Sequence, residues 1–211
     1  MTAEAGHGTV AVLLPDDWAV LDLEDEDARV AAVEELVGRQ LGGVPELDRL
    51  RRAMHEEMLR TTLQAARAGG VLMAVAVGAG GSPPVPATLT VYRVPGSLDA
   101  RGRAAMTDVL TSDEPGHTLD VGEGPAGTVL RRVRPVSASV GLTGDRSLPS
   151  LVADYWVEPT PGAPLVHLVF SSPLVDLRDA LLRLFDTVVS SVRVLGPSAH
   201  DAPPTPPEES L

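Results

Sequence analysis

The chain has 211 residues, a formal net charge of −12 and a hydrophobic fraction of 44%, which is enough to form a core. Because nucleic-acid-binding proteins neutralise phosphates with clustered Lys and Arg, this charge argues against a nucleic-acid partner. The chain has no cysteine, which excludes disulfides, thiolate metal sites and thiol nucleophiles within it.

The first half of the chain predicts two helices between strands. Apolar residues recur at helical spacing from Val30 to Leu41, and again after Pro45 until Gly69 interrupts the pattern. The continuous apolar run at 71–77 is typical of a buried strand. In order, the predicted elements are two extended segments within residues 9–23, helices at 30–41 and between 45 and 69, and strands at 71–77 and 87–94.

The second half predicts a short helix, three strands and a closing helix. Leu181, Phe185 and Val188 form an apolar stripe at helical spacing, so we expect the closing helix to pack on the sheet. The proline-rich residues 197–211 predict a disordered tail after a single domain at 1–196. The predicted elements are a helix that begins after Ser97 or Asp99, strands at 127–140, 151–158 and 165–170, and a helix from Asp176, its predicted cap, to Arg193.

A glycine motif precedes the first of these three strands. Gly122, Gly124 and Gly127 match the G-x-G-x-x-G pattern of dinucleotide-binding proteins. That site needs a helix after the glycines, whose N-terminus holds the phosphates. Here “TVLRRVRPVSASV” follows, and its β-branched residues and proline predict a strand instead. We therefore predict a glycine-rich hairpin turn and no cofactor.

No segment of the sequence predicts passage into or through a membrane. The first residues lack a positive charge ahead of a long apolar run, as a secretory signal requires. No stretch approaches the roughly 20 apolar residues of a membrane-spanning helix. The predicted location is therefore the cytoplasm.

The sequence predicts no catalytic and no metal-binding residues. It contains no lysine for a phosphate-binding loop and no nucleophile elbow, and its five histidines lie far apart. One alternative stays open, because Asp154 and His167 lie on strands predicted to be neighbours. With a serine such as Ser139 they supply the residue types of a catalytic triad. The alternative function is thus a small-molecule-acting enzyme with a site near His167 and Asp154.

Basic and aromatic residues cluster on the predicted strands of this acidic chain. Arg132 and Arg134 share one strand face, and Asp154 and Trp156 share a face of another strand. Four residues are candidates for a patch that binds an acidic or amphipathic segment of another protein, since Arg, Trp and Tyr dominate binding hot spots: Arg132, Arg134, Trp156 and Tyr92. The competing interpretations are a solvated face with cross-strand ion pairs, and a face covered by a helix that buries Trp156.

A family resemblance appears when these elements are taken together. An early “LPDDW”, a helical pair, a meander of strands, and “YWVEPTPGAPLVHLVFSSP” leading into “LRDALLRLFDTVVSSVRV” resemble the PsbP-like fold over residues 9–195. Photosystem subunits, a Ran-binding import factor, bacterial lipoproteins and secretion chaperones share that fold. The resemblance implies an α+β, three-layer αβα sandwich around a mostly antiparallel sheet. It also implies a non-enzymatic adaptor or accessory protein, with a secretion-linked chaperone as one candidate.

Overall fold

The computed structural model describes residues 2–4, 10–41, 45–77, 85–111, 117–139, 147–160 and 164–194. The predicted tail at 197–211 lies outside the described residues, so the division into a domain and a tail stays a prediction.

The described residues form strands and helices in nearly the predicted order. The helices are α1 (Glu26–Leu41), α2 (Asp48–Arg67), α3 (Ala100–Thr111) and α4 (Arg178–Ser190). The strands are β1 (Thr2–Glu4), β2 (Val10–Leu13), β3 (Trp18–Asp22), β4 (Gly70–Ala76), β5 (Thr88–Val94), β6 (Thr118–Gly124), β7 (Gly127–Ser139), β8 (Ser147–Glu158), β9 (Leu165–Ser172) and β10 (Arg193–Val194). None of these helices is both long and apolar enough to cross a membrane.

Seven of the strands form one sheet in the order β3-β4-β5-β9-β8-β7-β6, and each strand runs antiparallel to its neighbours. Strands β1, β2 and β10 form a separate small sheet. Because side chains alternate along a strand, the large sheet presents two faces. We call them face A, which carries Leu89 and Phe170, and face B, which carries Tyr92 and His167.

Face A is covered by α4 and β2. Phe170 of β9 and Phe185 of α4 are fully buried and stack with their ring centroids 4.3 Å apart. Leu181 and Val188 are buried in the same cluster, which confirms the predicted packing of the closing helix. Its predicted cap is wrong: a 3₁₀ turn at 175–177 precedes α4, and Leu177, without a side-chain hydrogen bond, stands at the N-cap. Asp176 lies within that turn and therefore cannot cap the helix.

Face B is covered at its two ends. Helices α1 and α2 pack over the β3–β4 end, where Leu36 and Ala65 lie in one buried cluster with Met73. Helix α3 and the loop before it cover the β7–β8 end, where Leu98 is buried with Leu130. Helices therefore lie on both sides of an antiparallel sheet, which confirms the predicted three-layer αβα architecture.

The glycine motif forms the predicted hairpin between β6 and β7, and no helix follows it. Gly124 pairs with Gly127 across the turn. Gly127 has a φ of 102°, and a Cβ there would overlap the carbonyl oxygen of Glu158. Only glycine combines this left-handed backbone with so close an approach. The motif therefore closes a sheet corner, where no helix N-terminus is present to hold a phosphate.

Candidate functional site

The middle of face B is less covered than its ends. Thr90 and Tyr92 on β5, and His167 and Val169 on β9, are half-buried. The residues that alternate with them, such as Leu89, are fully buried on face A. We use the name central strip for the half-buried residues Thr90, Tyr92, Arg132, Arg134, His167 and Val169, together with Asp154 and Trp156 beneath them.

Strand register brings an aromatic row together on the central strip. His167 pairs with Tyr92 on one side and with Trp156 on the other. The imidazole lies parallel to the indole, with ring centroids 4.5 Å apart, and 5.6 Å from the Tyr92 ring. The guanidinium carbon of Arg132 lies 5.6 Å from the centroid of Trp156, within cation–π range. The result is a continuous stack across four strands.

Asp154 holds the charged residues of the strip. Its side chain is 4% exposed and accepts hydrogen bonds from Arg132 Nη2 at 3.0 Å and Arg134 Nε at 3.3 Å. Its Oδ1 lies 3.2 Å from His167 Nε2. Burial disfavours the charged carboxylate, but the hydrogen bond with His167 and the charge of Arg132 outweigh burial and lower the pKa of Asp154. The carboxylate is therefore ionised and fixes three side chains at once.

Asp154 does not engage every hydrogen-bond donor of Arg132. Its carboxylate accepts hydrogen bonds from two guanidinium groups on a chain that carries a net charge of −12. Arg132 directs Nε and Nη2 to Asp154, and its Nη1 donates to no described residue. The side chains of Arg132 and Arg134 are 16% and 27% exposed. The strip can therefore present guanidinium donors to an anionic group from outside.

The predicted patch residues lie close together, but they differ in accessibility. Tyr92, Arg132 and Arg134 reach the surface, whereas Trp156 is only 8% exposed and packs with Leu98 beneath the α3 region. Both competing interpretations are thus partly observed, since cross-strand ion pairs to Asp154 exist and Trp156 is largely covered. Partner binding by these residues stays a prediction.

Glu158 has a separate structural role next to the strip. It accepts hydrogen bonds from the Ser97 hydroxyl and the Leu98 amide, both at 3.0 Å. Asp99 in turn accepts a 2.7 Å hydrogen bond from the Gly102 amide, which confirms Asp99 as one of the two predicted caps. These contacts fix the start of α3 over Trp156.

From the sequence, Asp154 and His167 were candidates for an enzyme site, and Arg132, Arg134, Trp156 and Tyr92 were candidates for a binding patch. The structure joins them, because His167 stacks on Trp156 and Asp154 binds Arg132 and Arg134. The missing information was the register between β7, β8 and β9. Without it, period-2 alternation places residues on a face but does not say which ones are opposite each other.

Ser139 does not complete a triad with these residues. Strand pairing sets Ser139 opposite Ser147, and sets Arg132 opposite Asp154. The seven residues between Ser147 and Asp154 correspond to about 23 Å along the strand. Three pockets are formed by described residues, and neither Asp154 nor His167 lines any of them, although Arg134 lines one. Within the described ranges, no three His, Asp or Glu side chains are grouped to hold a metal ion.

Comparisons with known proteins give similarity in fold only. No protein-family model matches the chain, and no curated protein matches it significantly. The Ran-binding protein Mog1p of Saccharomyces cerevisiae is similar in structure, with 10% identity, a TM-score of 0.47, and coverage of 92% of this chain and 95% of that one.

Two further solved structures show the same kind of likeness. LpqN of Mycobacterium tuberculosis, involved in cell envelope biogenesis, has 13% identity and a TM-score of 0.44, covering 91% of this chain and 89% of that one. A cyanobacterial PsbP from Synechocystis has 13% identity and a TM-score of 0.40, covering 92% of each chain. A PsbP and a Ran-binding protein belong to the groups that the sequence resembles. At such identities and TM-scores, the likeness gives no basis for assigning a function.

Proposed function

We propose that the protein is a non-enzymatic binding or adaptor protein that holds an acidic segment of another protein on the central strip. The observation that supports this most is the charge arrangement at Asp154. The buried carboxylate orients Arg132 and Arg134 at a half-covered surface, and the Nη1 of Arg132 donates to no described residue. An acidic partner would meet this local charge on an otherwise acidic protein, so charge complementarity would orient it.

The strip is organised before a partner arrives. Arg132 is held by two hydrogen bonds to Asp154 and lies over Trp156, which itself is packed under the α3 region. Holding a long side chain in one conformation reduces the entropy lost on binding. The free Nη1 of Arg132 can then donate to a partner carboxylate in a charge-assisted hydrogen bond.

The aromatic side chains define the rest of the partner. Tyr92 and His167 are half-buried next to the arginines, and Val169 adds an apolar contact beside them. Aromatic edges and an aliphatic side chain favour an apolar residue on the partner, next to its carboxylates. The segment that fits is therefore acidic and amphipathic, and we expect it to bind through hot-spot contacts at Arg132 and Tyr92.

A secretion-linked chaperone acting in the cytoplasm is the narrower form of this proposal. In that case the acidic segment belongs to an exported client protein. Identification of the protein that co-purifies distinguishes a secretion-linked chaperone from an accessory protein. A chaperone would co-purify with an exported protein, whereas an accessory protein acting elsewhere would co-purify with a protein that is not exported.

The second candidate is an enzyme at the same place, and the observation that favours it is the 3.2 Å contact between Asp154 and His167. A carboxylate that orients an imidazole is one part of a general-base arrangement. This candidate requires turnover that His167→Gln abolishes without unfolding the protein. The binding proposal instead predicts that His167→Gln weakens capture of the partner.

The experiment that tests the binding proposal is purification of the native protein at low ionic strength, followed by release with salt. Exposed charge–charge contacts are screened over roughly 10 Å at 0.1 M salt. We expect a stoichiometric protein with an acidic segment that dissociates as the salt concentration rises. A partner that stays bound at every salt concentration, or one without an acidic segment, contradicts the proposal.

A further inference from the structure

The glycine hairpin leaves a pocket on face A, on the side of the sheet opposite to the central strip. The pocket lies between the β6–β7 hairpin and the C-terminal half of α4, and its volume is about 290 Å³. Apolar parts of its wall come from Ala126, Val129, Val189 and the ring of Tyr155, and charged residues also line it. A concave site with apolar walls and a few polar groups at its rim is the usual form of a small-molecule site.

Gly122 and Gly124 keep this pocket open. Gly122 pairs with Val129, so its α-carbon faces the same side of the sheet as the pocket wall. A Cβ built at either glycine would meet no atom within 4 Å. Neither glycine has a positive φ, in contrast to Gly127, so the backbone conformation does not require glycine at either position. Because glycine weakens a strand, these two are better explained by the space they leave.

The rim of the pocket is built around Arg131. Its Nε and Nη2 donate to Asp120 Oδ2 at 3.3 and 2.8 Å. Its Nη1 donates to both carboxylate oxygens of Asp186 at 3.0 and 2.9 Å. The Tyr155 hydroxyl also donates to Asp186, at 2.8 Å. All the guanidinium nitrogens are therefore engaged by two carboxylates.

These hydrogen bonds determine which charge a ligand of the pocket must carry. An anion would have to displace a carboxylate from Arg131. The residues that line the pocket include three carboxylates, those of Asp120, Glu123 and Asp186, and one guanidinium. Asp120 is exposed, and its Oδ1 accepts no hydrogen bond from a described residue. A cationic donor can bind there without breaking any existing contact, and the net charge of the chain favours a cation.

We propose that this pocket binds a small organic amine with an apolar body. The apolar body lies on the floor left open by Gly122 and Gly124, against Val129 and Val189. The ammonium group donates to Asp120 at the rim. The volume is near the lower end of ligand pockets, which suits a molecule with one ring or a short aliphatic chain. The site is on the other face from the central strip and does not depend on the proposed function.

The test uses two probes of similar size and opposite charge, 2-phenylethylamine and 3-phenylpropionate. Titration of the full chain is followed through the backbone amide resonances of Gly122 and Gly124. We expect saturable shifts with the amine and none with the carboxylate. Equal binding of both probes, or no saturable shift with the amine, overturns the proposal.

Two variants locate the amine in the pocket. Gly122→Leu should fill the open space and reduce the affinity for 2-phenylethylamine at least tenfold, while the melting temperature stays the same or rises. Asp120→Asn should weaken amine binding by removing the rim charge. Val109→Leu, at an exposed position of α3 that does not line the pocket, should bind as the wild type does. Unchanged binding by Gly122→Leu contradicts the proposed location.

If Gly122→Leu fails to fold, Gly124→Val takes its place in the test, because its side chain should fill the same open space from a second position. Arg134→Glu, on the central strip, should leave amine binding unchanged. Failure of the amine site and failure of partner binding on the strip are thus separately observable.

Discussion

At the scale of single residues, Asp154 organises the surface that we propose as functional. Burial alone would disfavour a charged carboxylate, yet two arginines and a histidine surround it and keep it ionised. The sequence allowed Arg132, Arg134 and Trp156 to be placed on predicted strand faces. It could not show that they share one carboxylate, because that depends on which residues pair across the strands.

Replacement of Asp154 should be costly even though its neighbours are partly exposed. Asp154→Asn removes the carboxylate that binds Arg132 and Arg134 next to a largely covered Trp156. We expect a loss of about 2–4 kcal/mol in the free energy of unfolding. This is slightly less than the loss typical when one partner of a buried ion pair is removed, because both arginines reach solvent. Denaturant titration measures it, with exposed Asp179→Asn as the control that should change stability little.

The pH dependence of stability should have a defined sign. The pKa of Asp154 is lowered in the folded state, so its contribution is complete above the ordinary carboxyl pKa near 4 and is lost as the pH falls through the folded-state pKa. The stability difference between wild type and Asp154→Asn should therefore shrink as the pH falls below about 4. A difference that stays the same or grows as the pH falls from about 4 to about 2 would show that Asp154 is not stabilised as the charged form.

At the scale of elements, the periodicity of apolar residues in the sequence predicted most of the helices and strands that the structure contains. The closing helix was predicted from its apolar stripe, and Leu181, Phe185 and Val188 do face the sheet. Strands β1 and β10 were not predicted. Other errors lie at the ends of elements, where local hydrogen bonding decides the boundary. The 3₁₀ turn before α4 displaced the predicted cap, and β8 begins at Ser147 rather than at residue 151 because it extends to pair with the end of β7.

The closing helix gives a direct test of its packing. Phe185→Ala removes a fully buried ring that stacks on Phe170, and we expect a loss of about 3–5 kcal/mol from the lost burial and the cavity left behind. Leu184→Ala, at a half-buried position of the same helix, should cost less. Denaturant unfolding measures both losses, provided that the free energy of unfolding depends on denaturant concentration with the same slope in all variants. Equal losses for the two would contradict the assigned face of the helix.

The two kinds of glycine in the hairpin should respond differently to substitution. Gly127→Ala meets a positive φ and the carbonyl oxygen of Glu158, so it should lower stability by more than about 1 kcal/mol. Gly122→Ala meets neither and should be neutral or slightly stabilising. Thermal unfolding of the two variants compares them. Similar effects at both positions would contradict the distinction between a turn glycine and a pocket glycine.

At the scale of the whole molecule, the sandwich leaves different chemistry on its two faces. Helices α1, α2 and α3 cover the ends of face B and leave the half-buried central strip between them. Helix α4 covers face A but leaves a pocket with acidic groups at its rim beside the hairpin. The location of the central strip could not be predicted from the sequence, because it depends on how the helices pack on the sheet.

The measurement that tests the central claim most directly is the affinity of the recovered partner for Arg134→Glu and Arg183→Glu, two variants with the same charge change. Arg134 lies on the central strip, whereas Arg183 is exposed on α4, outside that strip. We predict that Arg134→Glu stays folded and binds at least about tenfold more weakly, equivalent to about 1.4 kcal/mol, while Arg183→Glu binds as the wild type does. Equal affinities for the two variants, or equal losses in both, would contradict the assignment of the central strip as the binding surface.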